Sequence, residues 1–193
     1  MAPDDSGPGH GGPEHGRAGH VHDEACELAH GDRPVPPTDR RLVLAFVSPV
    51  AHELAELAER LRWTVVVLEP ESRRMDEDPI PYVRQVATAD LAGIDDATDV
   101  VVCDHDRPEL GDVLAAVLAR PTRWVGIMGS LRHTAPHVAA LRERGVGESD
   151  IARVHRPIGL DIGSRTPMEI ALSTMAGLLA DRNGRSGGAY PTP

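Results

Sequence analysis

From Arg41 onward the chain alternates short, continuous apolar runs with longer segments of helical spacing. The runs at 42–47 (LVLAFV), 63–69 (WTVVVLE), 82–87 (YVRQVA), 99–103 (DVVVC) and 123–128 (RWVGIM) read as strands, because they are short and rich in β-branched residues. Between them, 50–61 carries an apolar stripe through Val50, Leu54, Leu57 and Leu61 and reads as a helix. Residues 108–119, with Gly111 a weak spot, 136–144, which Gly145 can end, and 167–182 read the same way. Strands with no polar alternation are buried on both faces, and strand–helix alternation puts helices on each. The pattern therefore predicts an α/β fold: a Rossmann-like open, mainly parallel sheet over residues 41–184. That length suffices for one hydrophobic core.

Before Arg41 no hydrophobic period is visible. Residues 1–40, rich in Gly, Pro, His and Asp, read as a disordered tail, and 185–193 as a fraying end. The tail carries His10, His15, His20, His22 and His30, which could hold a metal loosely, but no cysteine pair fixes such ligands and a solvated tail is the preferred reading. All 20 basic residues are arginine, and against 30 acids they leave a net charge of −10, which disfavours a nucleic-acid surface. No apolar run is long enough to span a bilayer, and the first residues lack a secretion signal's order, so a cytoplasmic location is expected. Cys26 and Cys103 are too far apart in sequence to suggest a framework or a metal pair, and Cys103 reads as a small buried apolar residue.

In open α/β sheets ligands bind beyond the carboxyl ends of the strands. After the first strand the dinucleotide pattern G-x-G-x-x-G is missing: no glycine occurs between Arg33 and Gly93. Ser48 still offers a helix cap with Pro49 behind it, so an anion could be received there. Glu69 stands where an acid would hold a ribose hydroxyl, or is a solvated strand-end acid. The fourth strand runs into CDHDRPE, where His105 between Asp104 and Asp106 is either an acid–base or ligand-binding group or part of a turn. The fifth runs into VGIMGSLRHT, where Gly126 and Gly129 permit close backbone approach and Ser130 and Arg132 supply a hydroxyl and an anion-binding fork.

The stretch RPIGLDIGSRTPMEIALS (156–173) is the most specific in the chain. Thr166, Pro167 and Glu169 form a capping box that secures a helix start. Gly159 and Gly163 allow unusual backbone angles, Arg165 adds charge, and Asp161 either orients Arg165 or accepts from a ligand's N–H groups. A rigid turn linking strand to helix accounts for the same residues.

RWVGIMGSLRH followed by ARVHRPIGLDIGSRTPMEIALS resembles the C-terminal Rossmann-like domain of the XdhC/CoxI family. The resemblance covers about residues 42–182 and is strongest over 123–175. It implies a non-enzymatic accessory protein that binds molybdenum cofactor, with or without an attached nucleotide, for a molybdenum hydroxylase apoenzyme of the xanthine or carbon monoxide dehydrogenase type. A sulfurtransferase and a second copy of the chain are further partners it implies. The departures are specific. FVSPV replaces a GAGHVG-type loop, Arg107 replaces the second histidine of THDH, GSLRH replaces GSRRK, and Gly177 takes a commonly acidic place. The family's cysteine-bearing N-terminal domain has no counterpart, its place being taken by the histidine-bearing tail. Two alternatives stay open: an NAD(P)-dependent oxidoreductase, opposed by FVSPV, and a degenerate docking or regulatory partner that binds nothing small.

Overall fold

The computed structural model describes residues 24–81, 83–87, 91, 93–130 and 135–189. The chain divides into two units, Met1–Pro37 and Thr38–Pro193. In the first, a seven-residue helix α1 (Glu24–His30) lies within the segment read as structureless; it buries no side chain.

The second unit contains β1 (Arg41–Ala45), α2 (Pro49–Arg60), β2 (Thr64–Leu68), α3 (Ser72–Glu77), β3 (Arg84–Val86), β4 (Thr98–Val102), α4 (Leu110–Leu118), β5 (Trp124–Ile127), α5 (Pro136–Glu143), α6 (Glu148–Ile151), β6 (Val154–His155) and α7 (Pro167–Arg182). The six strands form one parallel sheet in the order β3-β2-β1-β4-β5-β6. The order reverses between β1 and β4, the switch point at which such sheets take ligands. Successive side chains of each strand enter different layers. Val43, Val100, Val125 and Ile127 join α4 and α5 on one face, while Leu42, Leu44, Val65 and Val101 join α2 and α7 on the other.

Three elements escape the sequence pattern: α3, α6 and β6 are too short to show a period. The buried stripe of α2 is Ala51, Leu54, Ala55 and Ala58, rotated from the expected one, and Leu61 is exposed. Alanines face inward because α2 packs against both the sheet and α7. α4 runs unbroken through Gly111, where a Cβ would meet the Arg144 guanidinium, the end of a flexible side chain that reaches across from the end of α5 to Asp112 at 2.6 and 3.0 Å.

The end of α7 is fixed by charge. Asp99, in β4, is fully buried and receives Arg123 Nε at 2.5 Å and Arg182 Nε at 2.6 Å. Arg182 also donates to the Ala97 carbonyl, and its guanidinium lies 5.1 Å from the centre of the Trp63 ring. A carboxylate in that position is tolerable only with both partners in place. Asp99→Asn is expected to lose about 3 kcal/mol of stability in denaturant unfolding, as for other broken buried pairs. A loss below about 1 kcal/mol would mean the arginines are solvated and the clamp is decorative.

Candidate functional site

A cleft of about 850 Å³ opens at the carboxyl ends of β4 and β5, within the range of small-ligand sites. Its walls are Cys103, Asp104 and His105 after β4, Met128, Gly129 and Ser130 after β5, the loop 157–164, and Ile170, Ser173 and Thr174 of α7. A second hollow, about 480 Å³, runs along α2 beside His52, Glu56 and Arg60. There His52 pairs with Asp78 and Glu56 with Arg60, on a flank away from the strand ends.

The loop is held to α7 by backbone contact. Leu160 N–H donates to the Ser173 carbonyl at 3.2 Å, and the Ser173 hydroxyl donates to the Leu160 carbonyl at 2.6 Å. Gly159 (φ 86°) has a left-handed backbone, and a Cβ there would meet Ser173 Oγ at 2.5 Å. Across from it, a Cβ on Gly177 would lie 3.0 Å from Gly159 Cα. A side chain at Gly177 would require the Gly159 backbone to shift slightly. Gly163 (φ 72°) also needs glycine.

Beside the loop, Thr174 is 2% exposed and lines the cleft. Sequence reasoning missed Thr174. The signal available was a Ser–Thr pair inside the otherwise apolar run from Ile170 to Leu179.

The start of α7 is the capping box that the sequence predicts. Glu169 accepts from the backbone N–H groups of Arg165 (2.7 Å) and Thr166 (3.1 Å), and its own N–H donates to Thr166 Oγ1. Those amides hold the Glu169 carboxyl below its usual range, the Arg165 bond contributing most. The capping box thus occupies the backbone amides of Arg165, Thr166 and Glu169. Arg165 and Thr166 lie outside the cleft wall, and no bond among the described residues joins Asp161 to Arg165.

Of the other sequence candidates, His105, Gly129, Ser130, Gly159, Asp161 and Gly163 come together around the cleft. Ser48 caps α2 by accepting from Ala51 N–H, and Asp106 points outward, its backbone N–H bonded to Asp104. Gly126 serves packing, since a Cβ there would strike Trp124 and Ile158. Arg132, with His133, lies outside the described residues, as do His10, His15, His20 and His22.

The loop after β1 keeps the bend of a dinucleotide loop without its glycines. The spacing G-x-G-x-x-G falls on Phe46, Ser48 and Ala51, and Phe46 adopts φ 73°, a conformation that costs a bulky residue about 1–3 kcal/mol. Glu69 neither faces solvent nor waits for a ribose. It is fully buried and accepts from Val47 N–H (3.1 Å), Glu71 N–H (3.3 Å) and Arg74 Nη1 (3.3 Å). Arg107 lies over the Phe46 ring at 6.0 Å, donates to the Val47 carbonyl at 2.9 Å and pairs with Asp104 at 2.8 Å.

A model of the XdhC Rossmann domain matches residues 42–178. The chain belongs to the XdhC Rossmann-domain family. It is 30% identical over 169 residues to YqeB, an uncharacterized protein of Escherichia coli K12, a match covering 85% of this chain and 30% of that one. The crystal structure of a xanthine dehydrogenase from Bacillus halodurans resembles it with a TM-score of 0.60 at 22% identity, over 79% of this chain and 45% of that one. That likeness is one of fold. This XdhC domain thus spans less than a third of YqeB and less than half of the solved chain.

Within the XdhC domain, Cys103 is a packing residue. Its thiol donates to the Val101 carbonyl at 3.6 Å, and burial pushes its pKa far up, with Asp104 adding to the effect. Cys103 should therefore resist alkylation in the native protein and react only on unfolding; mass spectrometry after an iodoacetamide pulse would show it. Gly177→Ala should cost about 1–2 kcal/mol instead of the usual helix gain, because its methyl meets Gly159 backbone. A stabilised variant by thermal melting would show the loop is free to yield.

Proposed function

We propose that this domain is an accessory protein that binds molybdenum cofactor and serves the maturation of a molybdenum hydroxylase apoenzyme. Membership in the XdhC family supports the maturation role. The observation that carries the ligand reading is the cleft itself, whose wall includes the buried residue Thr174 and an exposed carboxylate, Asp161.

The donor set suits a pterin. Asp161 is an acceptor for ring N–H groups, and Thr174 and Ser130 offer hydroxyls to ring carbonyl and phosphate oxygens. No arginine lines the cleft among the described residues; the Arg156 guanidinium, which donates to the Ser130 carbonyl at 2.9 Å, is the described cation beside it, and Arg132 follows Ser130 by two positions in sequence. When bound, the cofactor brings the molybdenum-binding dithiolene; the chain's residues hold and orient it. A buried Cys103 leaves sulfur delivery to a separate sulfurtransferase, and the apoenzyme, a second copy of this chain and a cytoplasmic setting complete the reading. Among the described residues no helix is long and apolar enough to cross a membrane, which is compatible with that setting.

Protein purified anaerobically from a host that makes the cofactor should release near-stoichiometric oxidised pterin, read by fluorescence. Thr174→Val should weaken binding about tenfold, the worth of one hydrogen bond, and Asp161→Ala by at least as much. Pterin-free protein that also fails to take up added cofactor would shift the reading to a docking partner without a small ligand.

A further inference from the structure

Among the described residues of the second unit, the large apolar side chains left exposed are Leu61, Ile162, Met168 and Leu172, and the last three lie together in sequence at the mouth of the cleft. Met168 and Leu172, four positions apart on α7, are neighbours on its surface. Ser164 Oγ donates to the Glu169 carbonyl at 3.1 Å, which holds the loop just past Ile162 against the first turns of the same helix. Ala171, Met175 and Leu178 already supply the side that α7 buries, so Met168 and Leu172 carry its apolar surface beyond the core it packs against. An apolar stripe wider than the core that covers it marks a contact site. The rim of this patch carries both signs of charge. Asp161 and Arg165 are exposed, and neither enters an ion pair among the described residues. A matching surface must therefore be apolar at its centre, with one cation and one anion at its edge. The patch itself meets that description: about a two-fold axis, its apolar trio meets its equivalent while Arg165 of each copy faces Asp161 of the other.

Resting on the second copy in the reading above, but not on its cofactor, we propose that residues 161–172 form a self-complementary docking surface for another copy of this chain. Ile162, Met168 and Leu172 are its apolar centre, and Asp161 and Arg165 pair reciprocally across the axis. Asp161 and Ile162 also belong to the cleft wall, which carries Asp104 and no cation among the described residues. The second copy thus brings a guanidinium to the mouth of an acidic cleft. A carboxylate accepts several hydrogen bonds, so Asp161 can pair with Arg165 of the second copy and still accept from a ligand.

Sedimentation equilibrium of the full chain, with no ligand added, should show dimers at about 100 μM. Asp161→Arg and Arg165→Asp each set like charges face to face at both contacts, and each is expected to weaken self-association at least about tenfold. Leu172→Ser, at the apolar centre, is expected to do the same. Mixed in equal amounts, the two charge-reversed variants regain opposite charges at both contacts and should form a mixed dimer, which also shows that each is folded. A wild-type chain that stays monomeric would overturn both this surface and the second copy, while pterin release still decides the cofactor reading. Wild-type dimers that survive the three substitutions, or reversed variants that fail to associate on mixing, would overturn this surface alone.

Discussion

Asp99 carries a charge into the middle of a parallel sheet, where no water can solvate it, and α7 is the element that makes this tolerable. Arg182, in its last turn, supplies one of the two guanidinium partners, and Asp181 binds the other arginine, Arg123, from the same turn. The helix is therefore anchored to the sheet at its carboxyl end by an electrostatic requirement. Toward its start it is anchored to the loop 157–164 by backbone contact at Gly159 and Gly177 and by the paired bonds of Ser173 with Leu160. The cleft wall is built between these two anchors. The loop is thus referenced to the sheet through a rigid helix, which suits a site that must hold a defined shape without a bound partner.

Much of this was legible in the residues. The capping box at Thr166 set the start of α7 at Pro167, and local side-chain chemistry was sufficient because every partner lies within four residues. The main strands fell within about two residues of their observed ends, since a doubly buried strand must be apolar throughout. The glycines of the 156–173 stretch were rightly read as backbone requirements, with Gly159 and Gly163 both left-handed. What stayed hidden depended on distant partners. Nothing near Glu69 in sequence indicates that it will turn inward, because the amide it meets belongs to Val47 in the loop after β1. The role of Gly126 was equally invisible, being set by Trp124 and by Ile158 from beyond β6.

The two sides of the crevice have diverged physically. Around β5 and the loop 157–164 the chain spends glycines, keeps its backbone close and leaves a hollow. Around β1 it has none, and the hollow is filled by a ring, a buried acid and two arginines.

The bend at Phe46 also bears on how the domain assembles. A glycine turn can form in the unfolded chain, because its backbone prefers that shape as readily as any other. A phenylalanine at φ 73° has no local reason to adopt it. What holds this bend are Glu69, 22 residues from the Val47 amide it accepts, and Arg107, 60 residues from the carbonyl it reaches. The loop therefore becomes native only after β2 and the segment following β4 have docked on either side of β1. Its closure is thus a non-local event, dependent on contacts far apart in sequence.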